Sequence, residues 1–142
     1  MEGLISGFLV LADPYLLALL VMATLGGVVI GALPGLNATT GAALLLPFTL
    51  TMDPVPAISI MTAIYCSATF AGAITAILIN TPGTAASATT CLDGYPLAQR
   101  GEAGRALGMA VVSSTIGGVF SVICLMIAAP FLARAAYNFS PP

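Results

Sequence analysis

The chain has no lysine, no histidine and no tryptophan, and its 142 residues carry only three arginines and five carboxylates. Without histidine, imidazole metal sites and Ser-His or Cys-His catalysis are excluded within this chain. Three arginines and a net charge of −2 give nothing that tracks a nucleic-acid backbone, and no bias toward an acidic or basic partner. The three cysteines, Cys66, Cys91 and Cys124, are odd in number, far apart and without a CxxC pair, so they read as small apolar residues. Charge of either sign is scarce: 6% of residues against the roughly 25% a soluble surface needs. A globule with so few charges would show water a continuous apolar skin and aggregate.

What is present answers that lack. Hydrophobic residues make up 59% of the chain and the mean hydropathy is +1.10, so the solvent that suits it is a lipid bilayer. Leu16 to Leu33 is a charge-free run of 18 residues, roughly 27 Å as a helix and close to a hydrocarbon core of about 30 Å. Between Met1 and Tyr15 the only charges are Glu2 and Asp13. A cleavable signal needs a basic start, so this first apolar run is expected to stay in the mature protein.

Pro34-Gly35 breaks that run. The next, Gly41 to Met52, is short for a crossing, and three readings stay open: a half-helix, a re-entrant segment, or a short span completed by Leu36 to Thr40. Asp53-Pro54 marks a turn, and Ala57 to Ile79 is a third run, ended by Asn80-Thr81-Pro82-Gly83. Residues 87–106 hold four of the charges together with Asp93-Gly94 and Tyr95-Pro96, and read as a polar extramembrane loop. Its Arg100 and Arg105, against Arg134 beyond the last run, place that loop on the cytoplasmic side. Leu107 to Leu132 is long enough to span with tilt. The expected fold class is therefore an all-α, multi-pass membrane protein with about three to four transmembrane helices plus broken or re-entrant half-helices.

The runs are rich in small residues. Gly27 and Gly31, and again Gly104 and Gly108, recur at four-residue spacing. In lipid, helices associate by close backbone approach, so these four glycines are expected to serve helix packing.

Two segments are unlike ordinary span ends. Both Leu33 to Gly41 and Asn80 to Thr90 place a Pro-Gly break before a series of small hydroxyl residues that includes Thr-Thr. Proline removes a backbone donor, glycine permits conformations a helix does not use, and the helix that restarts has unpartnered first N–H groups. Inside a membrane, such groups are tolerated only against protein or a wet cavity. Half-helix N-termini aimed at an anionic solute, with loosened carbonyls holding a coupling cation, are a transporter device. The candidate substrate-binding residues are Pro34, Gly35, Leu36, Asn37, Thr39 and Thr40 in the first break, and Asn80, Thr81, Pro82, Gly83, Thr84 and Ser87 in the second. The competing reading is that Pro-Gly ends spans at the interface and Ser or Thr caps the next helix.

Asp53 and Asp93 read as turn or cap residues rather than proton relays, and the Asn37-Ala38-Thr39 sequon sits in a poor, apolar setting for glycosylation. Glu102 and Arg105 are spaced to pair weakly on a wet turn. No nucleophile with its base and no metal cluster is present, so no catalytic residue is assigned and an enzyme is the poorest reading.

Gly31-Ala32-Leu33-Pro34-Gly35-Leu36, Ala43 to Thr49, Met52-Asp53-Pro54, Ala76 to Thr84, Leu92-Asp93-Gly94-Tyr95-Pro96, Gly101 to Gly108 and Ser114 to Leu132 form an ordered series. It resembles the large membrane subunit, of the TctA type, of the bacterial tripartite tricarboxylate transporters. The resemblance implies uptake of tricarboxylates or related organic acid anions across the bacterial inner membrane, driven by a cation gradient of Na+ or protons. It also implies two partners, a periplasmic solute-binding protein and a small membrane subunit, and no resident cofactor. Where the family commonly has glycine after the Pro-Gly-Leu of its motif, this chain has Asn37. Family members are several times longer, so the chain corresponds to their N-terminal part and is expected not to transport alone. The alternative is a structural or assembly subunit that binds no solute.

Overall fold

A computed structural model of the chain describes residues 7, 11–33 and 35–139, with side chains up to 132. Pro34, the side chain of Arg134 and the last three residues lie outside that range. Every regular element among the described residues is helical: α1 (Pro14–Ala32), α2 (Ala38–Thr49), α3 (Pro54–Ile79), a 3₁₀ turn (Ala85–Ser87), α4 (Ala88–Gln99) and α5 (Ala103–Phe139). Among the described residues three stretches are long and apolar enough to cross a membrane: Pro14–Ala32, Pro54–Ile79 and Ala103–Leu132. The protein is an all-α, multi-pass membrane protein.

Local chemistry sets the ends of these helices. Pro14 opens α1, where its missing N–H costs nothing, and Asp13 Oδ1 accepts from the Tyr15 N–H at 2.9 Å. Pro54 likewise opens α3, where Asp53 stands at the N-cap without a side-chain capping bond. Asn80 ends α3 in the left-handed conformation at φ 56, which asparagine tolerates better than most residues. The aliphatic hydroxyls along α3 are satisfied within the helix: Ser59, Thr62, Ser67 and Thr69 each donate to the carbonyl four residues back. An otherwise apolar span therefore carries them without unpaired hydrogens.

α2 has 12 residues, about 18 Å, too little to cross a bilayer core by itself. It corresponds to the short apolar run and has the length of a half-helix. α3 has 26 residues, about 39 Å, and exceeds the core, which tilt or projection accommodates.

The chain divides into two units, residues 1–107 and 108–142. In the first, α3 is the central element. α1 packs along it most extensively, with α4 and α2 also against it. The α1–α3 seam is made of small residues. A Cβ at Gly27 would collide with Ser67 Oγ and stand 2.8 Å from the Ile64 carbonyl oxygen, and one at Gly31 would overlap the Ala68 carbonyl. Backbones this close gain dispersion contacts that lipid tails do not replace. Below the seam, Ala23, Ile60 and Ile64 form the core, with Leu19, Leu45, Met52 and Ala63 packed around them. In the second unit, α5 continues as helix with Pro130 inside it. None of residues 108–132 is buried, whereas Ala106, earlier in the same helix, is; a Cβ at Gly104 or Gly108 would meet nothing within 4 Å. These two glycines therefore make no close packing contact among the described residues, unlike Gly27 and Gly31.

Residues 87–106 differ from the loop read in the sequence. Most of the segment is α4, a regular helix with Pro96 inside it. Gly94 is buried, and a Cβ there would lie 2.7 Å from Ile77 Cγ1, so this glycine lets α4 approach α3 rather than forming a turn. Asp93 accordingly sits within the helix, exposed, and not at a turn. The real turn comes at Gly101, φ +82, where Glu102 N–H bonds the Leu97 carbonyl at 3.0 Å and Gly101 N–H bonds that of Ala98 at 3.0 Å. That is the paired closure of a Schellman end. Beyond it, Arg105 Nη1 lies 2.9 Å from Glu102 Oε2 with both side chains well exposed, a pair worth little to stability.

Candidate functional site

The two breaks meet. Asn37, Ala38 and Thr39 from the start of α2 and Pro82 to Ala86 with Ala88 from the second break line one open cavity of about 520 Å³. Tyr65 and Thr69 of α3 close its third side. The first break is capped by Asn37, whose backbone is extended (φ −113, ψ 171) and whose Oδ1 accepts from the Thr40 N–H at 2.8 Å and the Thr40 hydroxyl at 3.0 Å. This satisfies one of the orphan donors of α2 and leaves the first turn, Ala38 and Thr39, on the cavity wall. Gly35 stands at φ +92 with open space where a Cβ would be. The Leu36 N–H bonds back to the Leu33 carbonyl at 3.1 Å.

The second break is built more tightly. Thr84 and Ser87 form a reciprocal capping box: the Thr84 N–H donates to Ser87 Oγ at 3.1 Å and the Ser87 N–H to Thr84 Oγ1 at 3.3 Å. Gly83 is wedged between α1 and α3. A Cβ on it would lie 2.7 Å from the Gly31 carbonyl oxygen and 2.9 Å from Gly72 Cα, and its N–H reaches the Gly72 carbonyl at 3.5 Å. Three glycines from three segments thus converge where the second break crosses the α1–α3 seam.

Of the twelve residues read from the sequence as substrate-binding, Asn37, Thr39, Pro82, Gly83 and Thr84 line the cavity. Thr40 and Ser87 stand behind it as capping partners. Asn80 and Thr81 are taken up in ending α3, where the Thr81 hydroxyl donates to the Ile79 carbonyl at 3.2 Å. Gly35 and Leu36 shape the approach to α2 without lining the cavity, and Pro34 lies outside the described residues. Tyr65 and Thr69 were not singled out in the sequence. Their one signal is a polar pair at i, i+4 on an apolar helix, which places both on one face, but α3 has several such hydroxyls. The alanines contribute only backbone and carry no side-chain signal at all.

A second, apolar cavity of about 340 Å³ lies between α1, α2 and α3, lined among others by Leu19, Met22, Leu45 and Ile60. Among the described residues no side-chain nitrogen or oxygen is buried without a partner.

Apolar spans joined by broken segments, with two helix starts at one cavity, mark a class: multi-pass membrane proteins whose plan is one that solute transporters use. Residues 17–142 match the family model described as "Tripartite tricarboxylate transporter TctA family", and the chain belongs to that family. It is similar to an uncharacterized 52.8 kDa protein encoded in the TAR-I ttuC' 3' region of Agrobacterium vitis. The two are 44% identical over 116 residues, 82% of this chain and 23% of that protein. The chain therefore spans about a quarter of the length of that relative. No solved structure matches it.

Proposed function

We propose that the chain forms part of the substrate path of a tripartite secondary transporter, in which the cavity between the two breaks receives a carboxylate of a tricarboxylate or related organic acid anion. The observation that carries this reading is the convergence of both breaks on one cavity with the first turns of two helical segments on its wall. Exposed N–H groups and the positive end of a helix favour a carboxylate without a full cation, which suits a chain whose three arginines all lie outside the apolar runs. The anion travels inward across the bacterial inner membrane with a coupling cation, Na+ or a proton, delivered by a periplasmic solute-binding protein and accompanied by a small membrane subunit. The α4 segment and its Arg100 and Arg105 face the cytoplasm.

The test is Asn37→Asp in the full-length transporter reconstituted with its partners. Aspartate keeps the cap but places a negative charge on the cavity wall. Uptake of labelled citrate should disappear while assembly stays normal. Unchanged uptake would overturn the reading. A second reading, a structural subunit that binds no solute, is favoured by the small-residue seam and the three-glycine contact. It predicts that substitutions at Gly31 or Gly83 abolish assembly, and that Asn37→Asp leaves the complex and its uptake unaffected.

A further inference from the structure

The hydrogens on the cavity wall are unevenly spent. Asn37 Oδ1 already accepts twice from Thr40, which leaves the two amide hydrogens of Asn37 available. Ser87 Oγ donates to the Thr84 carbonyl at 2.8 Å, and the Thr84 and Ser87 hydroxyls lie 3.0 Å apart, so this pair satisfies itself within the capping box. The donors left to a ligand are the Asn37 amide, the hydroxyls of Thr39 and Tyr65, and the first N–H groups of α2. Thr69 is the exception. Its hydroxyl hydrogen goes to the Tyr65 carbonyl at 2.8 Å, so toward the cavity it offers lone pairs only.

A carboxylate is also acceptor-only. An acid bearing nothing but carboxylates would set lone pair against lone pair at Thr69, whereas a hydroxyl on its backbone would donate there. We infer, on the basis of the carboxylate site proposed above, that Thr69 is a specificity-determining residue and that the cavity selects hydroxylated carboxylates over their deoxy counterparts. Donors on the first break and on Tyr65 take the carboxylate oxygens, and the acceptor on α3 takes the hydroxyl hydrogen. A site that hydrogen-bonds a ligand hydroxyl discriminates against the analogue lacking it, because its own partner is then left unpaired.

Citrate and tricarballylate differ by one hydroxyl and are the probes. Their affinities are measured by calorimetry on the intact transporter containing this chain, in lipid nanodiscs, for the unsubstituted protein, Thr69→Val and Thr69→Ser. Valine keeps the branched shape and leaves no orphan, since the Tyr65 carbonyl retains its helical partner. The unsubstituted protein should bind citrate about tenfold more tightly than tricarballylate. Thr69→Val should bring citrate down to the tricarballylate level while tricarballylate stays within about twofold, and Thr69→Ser should keep the preference. Equal affinities in the unsubstituted protein, an unchanged ratio in Thr69→Val, or an equal loss for both acids would overturn the inference. Failure of the carboxylate site itself has a separate signature: neither acid binds, or Asn37→Asp leaves both affinities unaltered. Either result removes the selectivity with it.

Discussion

The two breaks look alike in sequence and are held in different ways. The second is clamped: Gly83 sits against Gly31 and Gly72 with no room for a Cβ, and Thr84 and Ser87 close on each other. The described residues of the first show no such clamp. Gly35 has open space around it, and a single side chain, Asn37, caps the helix that follows. In the transport reading proposed above, the clamped break would be the fixed wall of the cavity. Near-identical Pro-Gly punctuation therefore says where a helix stops, and not how firmly the stop is held. Firmness depends on what lies across the seam.

Several substitutions would break or sharpen this contrast. The largest effect is expected at the clamp. Gly31→Val places atoms into the Ala68 carbonyl, and overpacking of this kind costs about 1–3 kcal/mol or more, with loss of the α1–α3 seam. Thermal unfolding in detergent, followed by circular dichroism and size-exclusion chromatography, reads it, and a native-like melting curve would deny the clamp. Asn37→Asp is expected to weaken citrate binding about a hundredfold, roughly 2.7 kcal/mol, while changing stability by less than about 0.5 kcal/mol. Equal losses in binding and stability would mean that Asn37 is only a cap.

At the first break, Gly35→Ala meets no atom and suffers only from its positive φ, so the expected cost is about 1–2 kcal/mol, measured as a shift in the same melting curve. A drop as large as that of Gly31→Val would show the first break to be clamped as well. Thr84→Ala removes a capping hydroxyl and should cost about 1 kcal/mol of stability. It should leave citrate affinity within about threefold, because that hydroxyl is engaged by Ser87. A tenfold loss of binding would move Thr84 from the frame of the site into contact with the ligand.

The apolar runs gave the helices with good fidelity because in lipid a backbone must satisfy itself, and length plus hydropathy is enough to say where. Leu16–Leu33 became Pro14–Ala32, Ala57–Ile79 became Pro54–Ile79, and the short run became the half-length Ala38–Thr49. Where the turn reading failed, at Asp93-Gly94 and Tyr95-Pro96, the failure was instructive. Gly94 and Pro96 look like turn residues in isolation, yet Gly94 is small because Ile77 stands against it. A glycine that serves packing and a glycine that serves a turn are the same letter. Of the four glycines read as packing residues, the 27/31 pair lies on a seam, while a Cβ at residues 104 and 108 would meet nothing within 4 Å among the described residues.

By itself, then, the sequence determined the solvent, the helical class, the positions of both breaks and the family, because scarcity of charge, run length and Pro-Gly interruptions act locally and need no partner to be recognised. The tertiary structure alone decided that the breaks share one cavity, that Tyr65 and Thr69 complete it, and that Gly31, Gly72 and Gly83 meet. Spans that are apolar all round carry no pattern marking an inward face. Which side turns inward is settled only when small residues on separate segments find each other.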